Sequence, residues 1–450
     1  MPAHRLNRSA LAVAVCAASL ASVAHAADDK AAPLTWNGIT LYGAVDIGVA
    51  YQNHGVPVSQ DMYTGVAYLV TKNSRDSVTS IAPNGMSQSK LGLRGDIPLA
   101  DDLSGVFNFE MGFNPHSGKI SDALASLVSN NGVAREDQRT AADGSRAGQI
   151  FNGPAFLGLS SKRYGTLSLG RHNTLLTDVV GKYDPLGLSL AFSLMGASGT
   201  TAGGGNTQNV RLDNSIKYTL THGAFHGGLL YQPGNSESSP GKAAQLDLGV
   251  QKGALSVDVV YAFKNRAISA ASLSASQFAT PGVPRDSLAA TVSDNRAVAL
   301  AASYKLGDNW KISGGHERIR YRNPSDPLQP GFHGLGGYLI SFVNNAAFPR
   351  AKHLQVSWLG ANWQIDERLS LTGAWYHYDQ NSYGAAHCAD RSAGTCQGTL
   401  DAWSAVLDYR FNKRFDVYGG AMYSRVSDGL SSGFWRTSVV SPMVGARLQF

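Results

Sequence analysis

Alternation of apolar and polar residues recurs along almost the whole chain, and it restricts the fold more than any other feature. From Ile39 to Tyr51 the odd-numbered positions are mainly apolar, whereas the even positions include Thr40 and Asp46. The last segment, which ends at Phe450, repeats this pattern. Successive side chains of a β-strand point to opposite faces, so a period of two predicts strands with one apolar and one polar face.

The connections between these predicted strands fall into two length classes. Seven short connectors join strands in pairs: Ile97–Ser104, Ser161–Gly165, Thr221–Ala224, Gln251–Ala254, Gly307–Trp310, Asp366–Arg368 and Asn412–Arg414. Eight long stretches, polar and rich in Gly, Asn, Ser and Pro, lie between the pairs: about 52–86, 114–149, 172–209, 233–243, 265–295, 322–352, 379–400 and 425–441. Fifteen connections predict sixteen strands. Short turns on one side and long loops on the other are typical of an outer-membrane barrel.

Other architectures fit the sequence less well. Past residue 26 no window approaches the roughly 18 consecutive apolar residues of a spanning helix, and only 16% of the residues are charged. A sandwich or propeller does not sort its connections into two length classes, and a soluble sixteen-stranded barrel is too wide for side chains to fill. The predicted fold is therefore all-β: a transmembrane antiparallel β-barrel of 16 strands over residues 27–450, with short periplasmic turns and long extracellular loops.

Residues 1–26 have the features of a cleaved secretory signal peptide. Arg5 and Arg8 supply the positive charge, residues 11–23 are apolar, and 24–26 read Ala-His-Ala, a small-x-small cleavage site. An N-terminal core helix is the alternative interpretation. Export across the inner membrane agrees with an outer-membrane location.

Two cysteines, Cys388 and Cys396, remain after the signal peptide is removed, and both lie in the seventh long loop. In an exported chain this spacing favours a small-ring disulfide. Two free thiols, or a metal site with His387 nearby, remain as alternatives. We expect no metal site because further ligands at fixed spacing are lacking.

Seven short segments, in order along the chain, resemble the general porins of Gram-negative outer membranes, in the branch typical of β-proteobacteria. They are residues 41–48, 89–95, 106–114, 155–160, 165–171, 211–218 and 444–450. The long loops resemble nothing specific, which leaves the substrate preference open.

The resemblance implies features that the residues alone do not establish. It implies a homotrimer, and a third loop, here about 172–209, that folds inward and constricts the pore. Asp178 and Asp184 of that loop would face a basic wall made of Arg94, Arg171 and Arg211. The terminal Phe450 is similar to the signal read by the barrel-assembly machinery.

Strand alternation assigns a set of charged side chains to the water-filled lumen. They include Asp46, Lys90, Arg94, Glu110, Arg211, Asp213 and Lys217. A Lys or Arg on the lipid face at mid-membrane would cost about 2–4 kcal/mol, which favours the inward assignment. Arg171 breaks the alternation, so either a bulge re-aims it or it snorkels at the lipid rim. Any one of these charges could also be an ordinary solvated wall residue.

The predicted function is passive diffusion of small hydrophilic solutes and ions across the outer membrane, with a weak anion preference. The partners expected are outer-membrane lipid and the solutes themselves. We expect no catalytic residue and no cofactor. The formal net charge of +6 becomes +4 without Arg5 and Arg8, too low to indicate nucleic acid. The alternatives are a channel specific for a sugar, organic acid or phosphate, a surface adhesin, and an outer-membrane enzyme.

Overall fold

The computed structural model describes residues 34–64, 74–139, 144, 146–195, 210–234, 240–384, 387–388 and 393–450. The predicted signal peptide, residues 1–26, lies outside this part of the chain. So do residues 196–209, the end of the predicted constriction loop. Among the described residues no helix combines the length and the apolar character needed to cross a membrane.

The strands, numbered in chain order, are β1 Leu34–Trp36, β2 Ile39–Gly55, β3 Asp76–Pro83, β4 Lys90–Ala100, β5 Leu103–Asn114, β6 Lys119–Ile120, β7 Ala155–Ser161, β8 Gly165–Asn173, β9 Arg211–His222, β10 Phe225–Gln232, β11 Ala243–Lys252, β12 Leu255–Ala271, β13 Leu288–Leu306, β14 Trp310–Arg322, β15 Phe332–Leu335, β16 Tyr338–Asn344, β17 Lys352–Gln364, β18 Leu369–Gln380, β19 Gly398–Arg410, β20 Phe415–Val426 and β21 Ser438–Gln449. The helices are α1 Ala123–Val128, α2 Leu175–Tyr183 and α3 Ala275–Phe278, with 3-10 turns at Arg135–Asp137 and Asp428–Ser431.

The strands close into one antiparallel barrel with sixteen strand positions, as predicted. β3 and β4 share one position, because β3 pairs with the extracellular half of β2 and β4 with its periplasmic half. β1, β6, β15 and β16 are additions at the start of the chain and in the loops. The barrel closes where β21 pairs with β2, from Gln449 opposite Ala44 to Met443 opposite Ala50. Backbone hydrogen bonds between Gly43 and Phe450 extend this seam.

The connections agree with the sequence prediction. All seven short turns are present, at the ends of β4, β7, β9, β11, β13, β17 and β19. The fifth long loop is shorter than expected, because β12 continues to Ala271 and β13 begins at Leu288. Strand pairing satisfies the backbone of both extensions.

The outer face of the barrel is apolar and the inner face is small or polar. In β8, for example, Leu167 and Leu169 are 50% and 58% exposed, whereas Ser168 between them is 5% exposed. Stacked aromatic rings mark the belt near the periplasmic turns, where Trp310 and Trp363 lie 5.3 Å apart. This arrangement suits a barrel surrounded by lipid and containing water.

The largest buried apolar cluster lies inside the barrel. It is formed where the chain after β8 packs against inward side chains of the wall, and its largest fully buried members include Tyr183, Phe192, Trp358 and Tyr376. The interior is therefore only partly open.

Candidate functional site

The segment after β8 turns into the barrel as α2. Thr174 caps the helix, its Oγ1 accepting a hydrogen bond from the backbone N–H of Thr177 at 3.2 Å. The apolar side chains of α2, such as Val179 and Val180, are buried against Val260 and other inward residues. The helix contacts β10 to β14. We refer to residues 174–195 as the inserted segment.

Beyond α2 the inserted segment continues along the wall. Trp358 on β17 donates from its indole Nε1 to the carbonyl of Tyr183 at 3.2 Å. Ser404 on β19 donates to the carbonyl of Phe192 at 2.5 Å, and Ala191 N–H donates to the carbonyl of Gly85 at 2.8 Å. The Phe192 ring also meets the Tyr418 ring edge-on. The segment therefore covers the inner wall from β10 round to the strands next to the closing seam.

Charged groups of the inserted segment are paired with the wall. Lys182 Nζ lies 2.9 Å from Asp258 Oδ2, and His226 Nε2 lies 2.7 Å from Asp258 Oδ1. The hydroxyl of Tyr183 also bonds to Asp258. Asp178 was expected to face the basic wall. Its Oδ2 lies 2.5 Å from Lys217 Nζ. Lys217 is thus neutralised by the loop.

The position of Asp184 differs from the sequence expectation. Its carboxylate is buried and accepts hydrogen bonds from the backbone N–H of Leu188 at 2.6 Å and from the Tyr376 hydroxyl at 2.7 Å. Burial raises the pKa of Asp184 above its usual range. Because this residue is only 4% exposed, its carboxyl group holds the segment to the wall and does not serve as a charge for passing solutes.

Asp46 is also buried, although its inward direction agrees with alternation. It accepts hydrogen bonds from the backbone N–H groups of Gly85, Met86 and Ser87 at 2.8–3.1 Å, and from the Tyr418 hydroxyl at 2.6 Å. These bonds secure the chain between β3 and β4, where the strand is interrupted.

The wall formed by β2, β4 and β5 carries a file of basic groups. Arg94 is exposed, and its guanidinium lies 5.4 Å from the ring centre of Tyr42. The Tyr42 hydroxyl donates to Asn108 at 2.7 Å. Further towards the extracellular side, Lys90 Nζ is 2.9 Å from Glu110 Oε2.

Arg146 completes this file, and no pattern in the sequence pointed to it. It belongs to the long loop between β5 and β7, and its Nη2 lies 2.9 Å from Glu110 Oε1 with both side chains buried. Arg211 lies close enough to Glu110, Arg146 and Arg171 to interact with them electrostatically. Five basic residues and two acidic residues therefore form one group, here named the basic file: Arg94, Lys90, Arg146, Arg211 and Arg171 with Glu110 and Asp213.

A β-bulge in β9 lies beside Arg171, because Asp213 and Asn214 together stand opposite this one residue. The register between β8 and β9 shifts between Gly170 and His172. The Arg171 guanidinium pairs with Asp213, and its Nε donates to the carbonyl of Gly153 at 3.0 Å. The same irregularity reverses Leu212, which alternation assigned to lipid. Leu212 is buried in a cluster with Leu175 of the inserted segment and with Leu230 and Ala243.

The loop between β5 and β7 reaches across the barrel mouth. Its Asn131 donates to the carbonyl of Ser287 at 2.7 Å, and its Asp122 accepts from the Tyr338 hydroxyl at 2.5 Å. Leu124 and Leu127 pack against residues of β12, β13 and β15. Arg135 reaches the eighth loop, 4.5 Å from the ring centre of Trp435. This loop thus narrows the extracellular entrance of the barrel.

The structure joins Cys388 and Cys396 in a disulfide with Cα atoms 5.7 Å apart. This pairing is the one favoured by the sequence. Within the described ranges no group of three or more His, Cys, Asp or Glu side chains is placed to hold a metal ion.

Comparisons with known proteins agree on one family. A model of the Gram-negative porin family matches residues 10–429. An outer membrane porin of Bordetella pertussis is 24% identical over 426 residues, covering 91% of this chain and 93% of that protein. The anion-selective porin from Comamonas acidovorans has a similar structure, with a TM-score of 0.61, 19% identity, and coverage of 92% and 99% of the two chains. OmpT of Vibrio cholerae in a trimer form gives a TM-score of 0.56 at 13% identity, covering 92% and 99%.

Proposed function

The chain belongs to the Gram-negative porin family of the outer membrane, and from this membership we propose that it is a passive diffusion channel with a weak preference for anions. Solutes cross through the part of the lumen that the inserted segment leaves open. The chemistry needed is a wet passage of fixed width, and no bond is made or broken.

The basic file is the observation that carries the proposed selectivity. Its five basic residues outnumber its two acidic residues, whereas the charges of the inserted segment are paired with the wall. Charges in a narrow, low-dielectric passage focus the electric field and raise the local concentration of counterions. Small anions should therefore enter more readily than small cations.

The inserted segment is proposed to set the size limit of the channel. It lies against the inner wall from β10 to β21, and the basic file lies on the other side of the passage. The eyelet would lie between the two, with Arg94 as an exposed charge and Asp178 and Lys217 paired on the loop side.

Assembly is proposed to follow the family. A solved relative of similar fold is described in a trimer form, and the apolar outer faces of β4, β7 and β8 offer a surface for a second copy. Cleavage of residues 1–26 and recognition of Phe450 by the assembly machinery remain predictions.

A channel specific for an anionic solute is a second candidate, because the basic file runs along one wall and is not confined to a single ring. Such a channel would saturate with one anionic solute, such as an organic acid or phosphate, whereas a general porin would conduct in proportion to concentration.

The test is the reversal potential in a KCl gradient across a planar bilayer. Replacing Arg94 and Arg211 with Ser should shift the permeability ratio towards cations by roughly twofold, since two focused charges are removed. The shift should fade near 1 M salt, where screening shortens to about 3 Å.

Two further variants keep this test interpretable. The double Lys variant retains the charge and should keep the anion preference. The single variant R94S removes the exposed arginine without touching the half-buried Arg211. Unchanged selectivity in both R94S and the double Ser variant would refute the eyelet assignment.

A further inference from the structure

Four arginines lie together on the outer face of the barrel, at the extracellular ends of β13 and β14. Alternation places Arg296 on the same face as Val298 and Leu300, which are 50% and 53% exposed. Register places Arg318 opposite Val298 and Arg320 opposite Arg296. Arg322 follows on the same face of β14. We name these four residues the arginine patch.

The patch lies just beyond the apolar belt. Arg296 is two residues past Val298, about 7 Å along the strand, in the direction away from the short turn between Leu306 and Trp310. Phe263 stands opposite Arg296 on β12. The guanidinium groups are therefore at the level of lipid headgroups in the outer leaflet, next to side chains that contact acyl chains.

The patch carries four positive charges, and the residue directly opposite Arg322 is an acid, Asp294. Like charges directly opposite each other on one sheet face are destabilising, yet Arg296 and Arg320 are cross-strand partners. Among the described residues, no ion pair includes any of the four guanidinium groups. Asp294, the acid on the same face, accepts hydrogen bonds from Ser325 and from the backbone of Arg266.

A cavity of about 330 Å³ opens at this patch, and its lining consists mainly of hydrogen-bond donors. Arg296, Arg320 and Arg322 line it together with one acid, Asp294, and with Asn265, Asn295, Asn323 and Ser325. Within the described part of the chain, the Nε of Arg320 is buried without a hydrogen-bond partner. A planar guanidinium matches two oxygens of a phosphate at once, so three arginines around one cavity favour a phosphate ligand.

We propose that the arginine patch binds the phosphate of a glycolipid in the outer leaflet. The site is on the lipid face, outside the lumen, so a solute crossing the channel does not meet it. A lipid fits both the charged patch and the apolar belt beside it. Its phosphate pairs with the arginines, and its acyl chains lie on Val298, Leu300 and Phe263. The bound phosphate also screens the repulsion between Arg296 and Arg320. Because the ligand binds only the folded barrel, its binding stabilises that state.

The test is native mass spectrometry of the folded full chain in a non-ionic detergent. The probes are lipid A with both phosphates, the same lipid A with its phosphates removed, and inorganic phosphate. Phosphorylated lipid A should remain bound to the wild type, and the variant R296Q/R320Q should bind it at least tenfold more weakly. The dephosphorylated lipid should bind both proteins equally weakly.

The matched control is R425Q/R436Q, which removes two exposed extracellular arginines outside the patch and should bind lipid A like the wild type. Channel conductance checks that each variant is folded, and it should be unchanged because the patch is outside the lumen. Equal loss of binding in the control, or equal retention of dephosphorylated lipid by the wild type, would overturn the proposal. Displacement of the lipid by equimolar inorganic phosphate would overturn the assignment to a lipid.

Discussion

Two regions of the inner wall follow the same alternation pattern but differ in what covers them. From β10 to β21 the wall lies beneath the inserted segment, and Asp258 there is 1% exposed and bonded to Lys182, Tyr183 and His226. On the wall of β2, β4 and β5, Arg94 is exposed. Alternation identifies the side of the sheet on which a residue lies. Whether that residue meets water depends on the loop folded over it.

The largest expected effect is on the covered wall, where Phe192 anchors the inserted segment. The variant F192A removes a fully buried ring and should lower the free energy of unfolding by about 3–5 kcal/mol. It should also raise single-channel conductance, because the segment loses its attachment near Tyr418. Urea unfolding in lipid vesicles and bilayer recording measure the two effects.

The matched control for this deletion is F278A, which removes a partly buried ring from an extracellular loop. It should leave conductance unchanged. If F192A behaved like F278A in both assays, the inserted segment would not depend on its packing against the covered wall.

The ion pair at Asp258 gives the next effect. The variant D258N leaves Lys182 without its counterion and should destabilise the protein by about 2 kcal/mol. This is below the 3–5 kcal/mol of a fully buried pair, since the Lys182 side chain is 36% exposed. The open-channel current should become noisier as the segment moves. The charge-neutral pair K182M/D258N should recover part of the stability, and a quiet channel in D258N would contradict the assigned role.

A smaller effect concerns pH and Asp184. Because burial raises the pKa of Asp184 in the folded protein, the folded state holds this proton more tightly than the unfolded state. Its contribution to stability is therefore greatest below the unfolded pKa, near 3.9, and is lost as the pH rises through the folded pKa. The variant D184N should flatten this fall in the free energy of unfolding, measured by urea unfolding from pH 4 to pH 8. Superimposable curves for the two proteins would contradict the burial of Asp184.

The smallest effect is expected far from both regions, at the disulfide of the seventh loop. The bond joins residues only eight positions apart, so the entropic model gives roughly 3 kcal/mol or less, and this acts on the loop. The variant C388S/C396S should be cleaved faster between β18 and β19 in limited proteolysis, with an unchanged unfolding midpoint for the barrel. Wild type treated with a reductant should behave the same way, and a lowered midpoint in either case would show that the loop supports the wall.

The sequence predicted the wall of this protein well because its signals are local. Alternation from Ile39 to Tyr51 and the seven short turns each depend on a few neighbouring residues, and lipid penalises any other orientation of the apolar faces. The count of sixteen strands follows from those signals, and the structure confirms it. The cysteine pairing was also accessible, because the two residues are close in the chain.

Tertiary structure alone decided which inward charges are exposed and which are buried. Arg146 reaches Glu110 because a loop returns into the barrel. Asp184 is buried against Tyr376, a residue that lies 192 positions further along the chain. Leu212 points inward because a bulge at Asp213 and Asn214 of β9 shifts the register by one residue, which reverses the faces locally. These contacts join distant parts of the chain, so no periodicity within one segment specifies them. The sequence by itself thus determined a closed barrel with a wet interior, whereas the lining of its passage was decided by how two long loops pack within it.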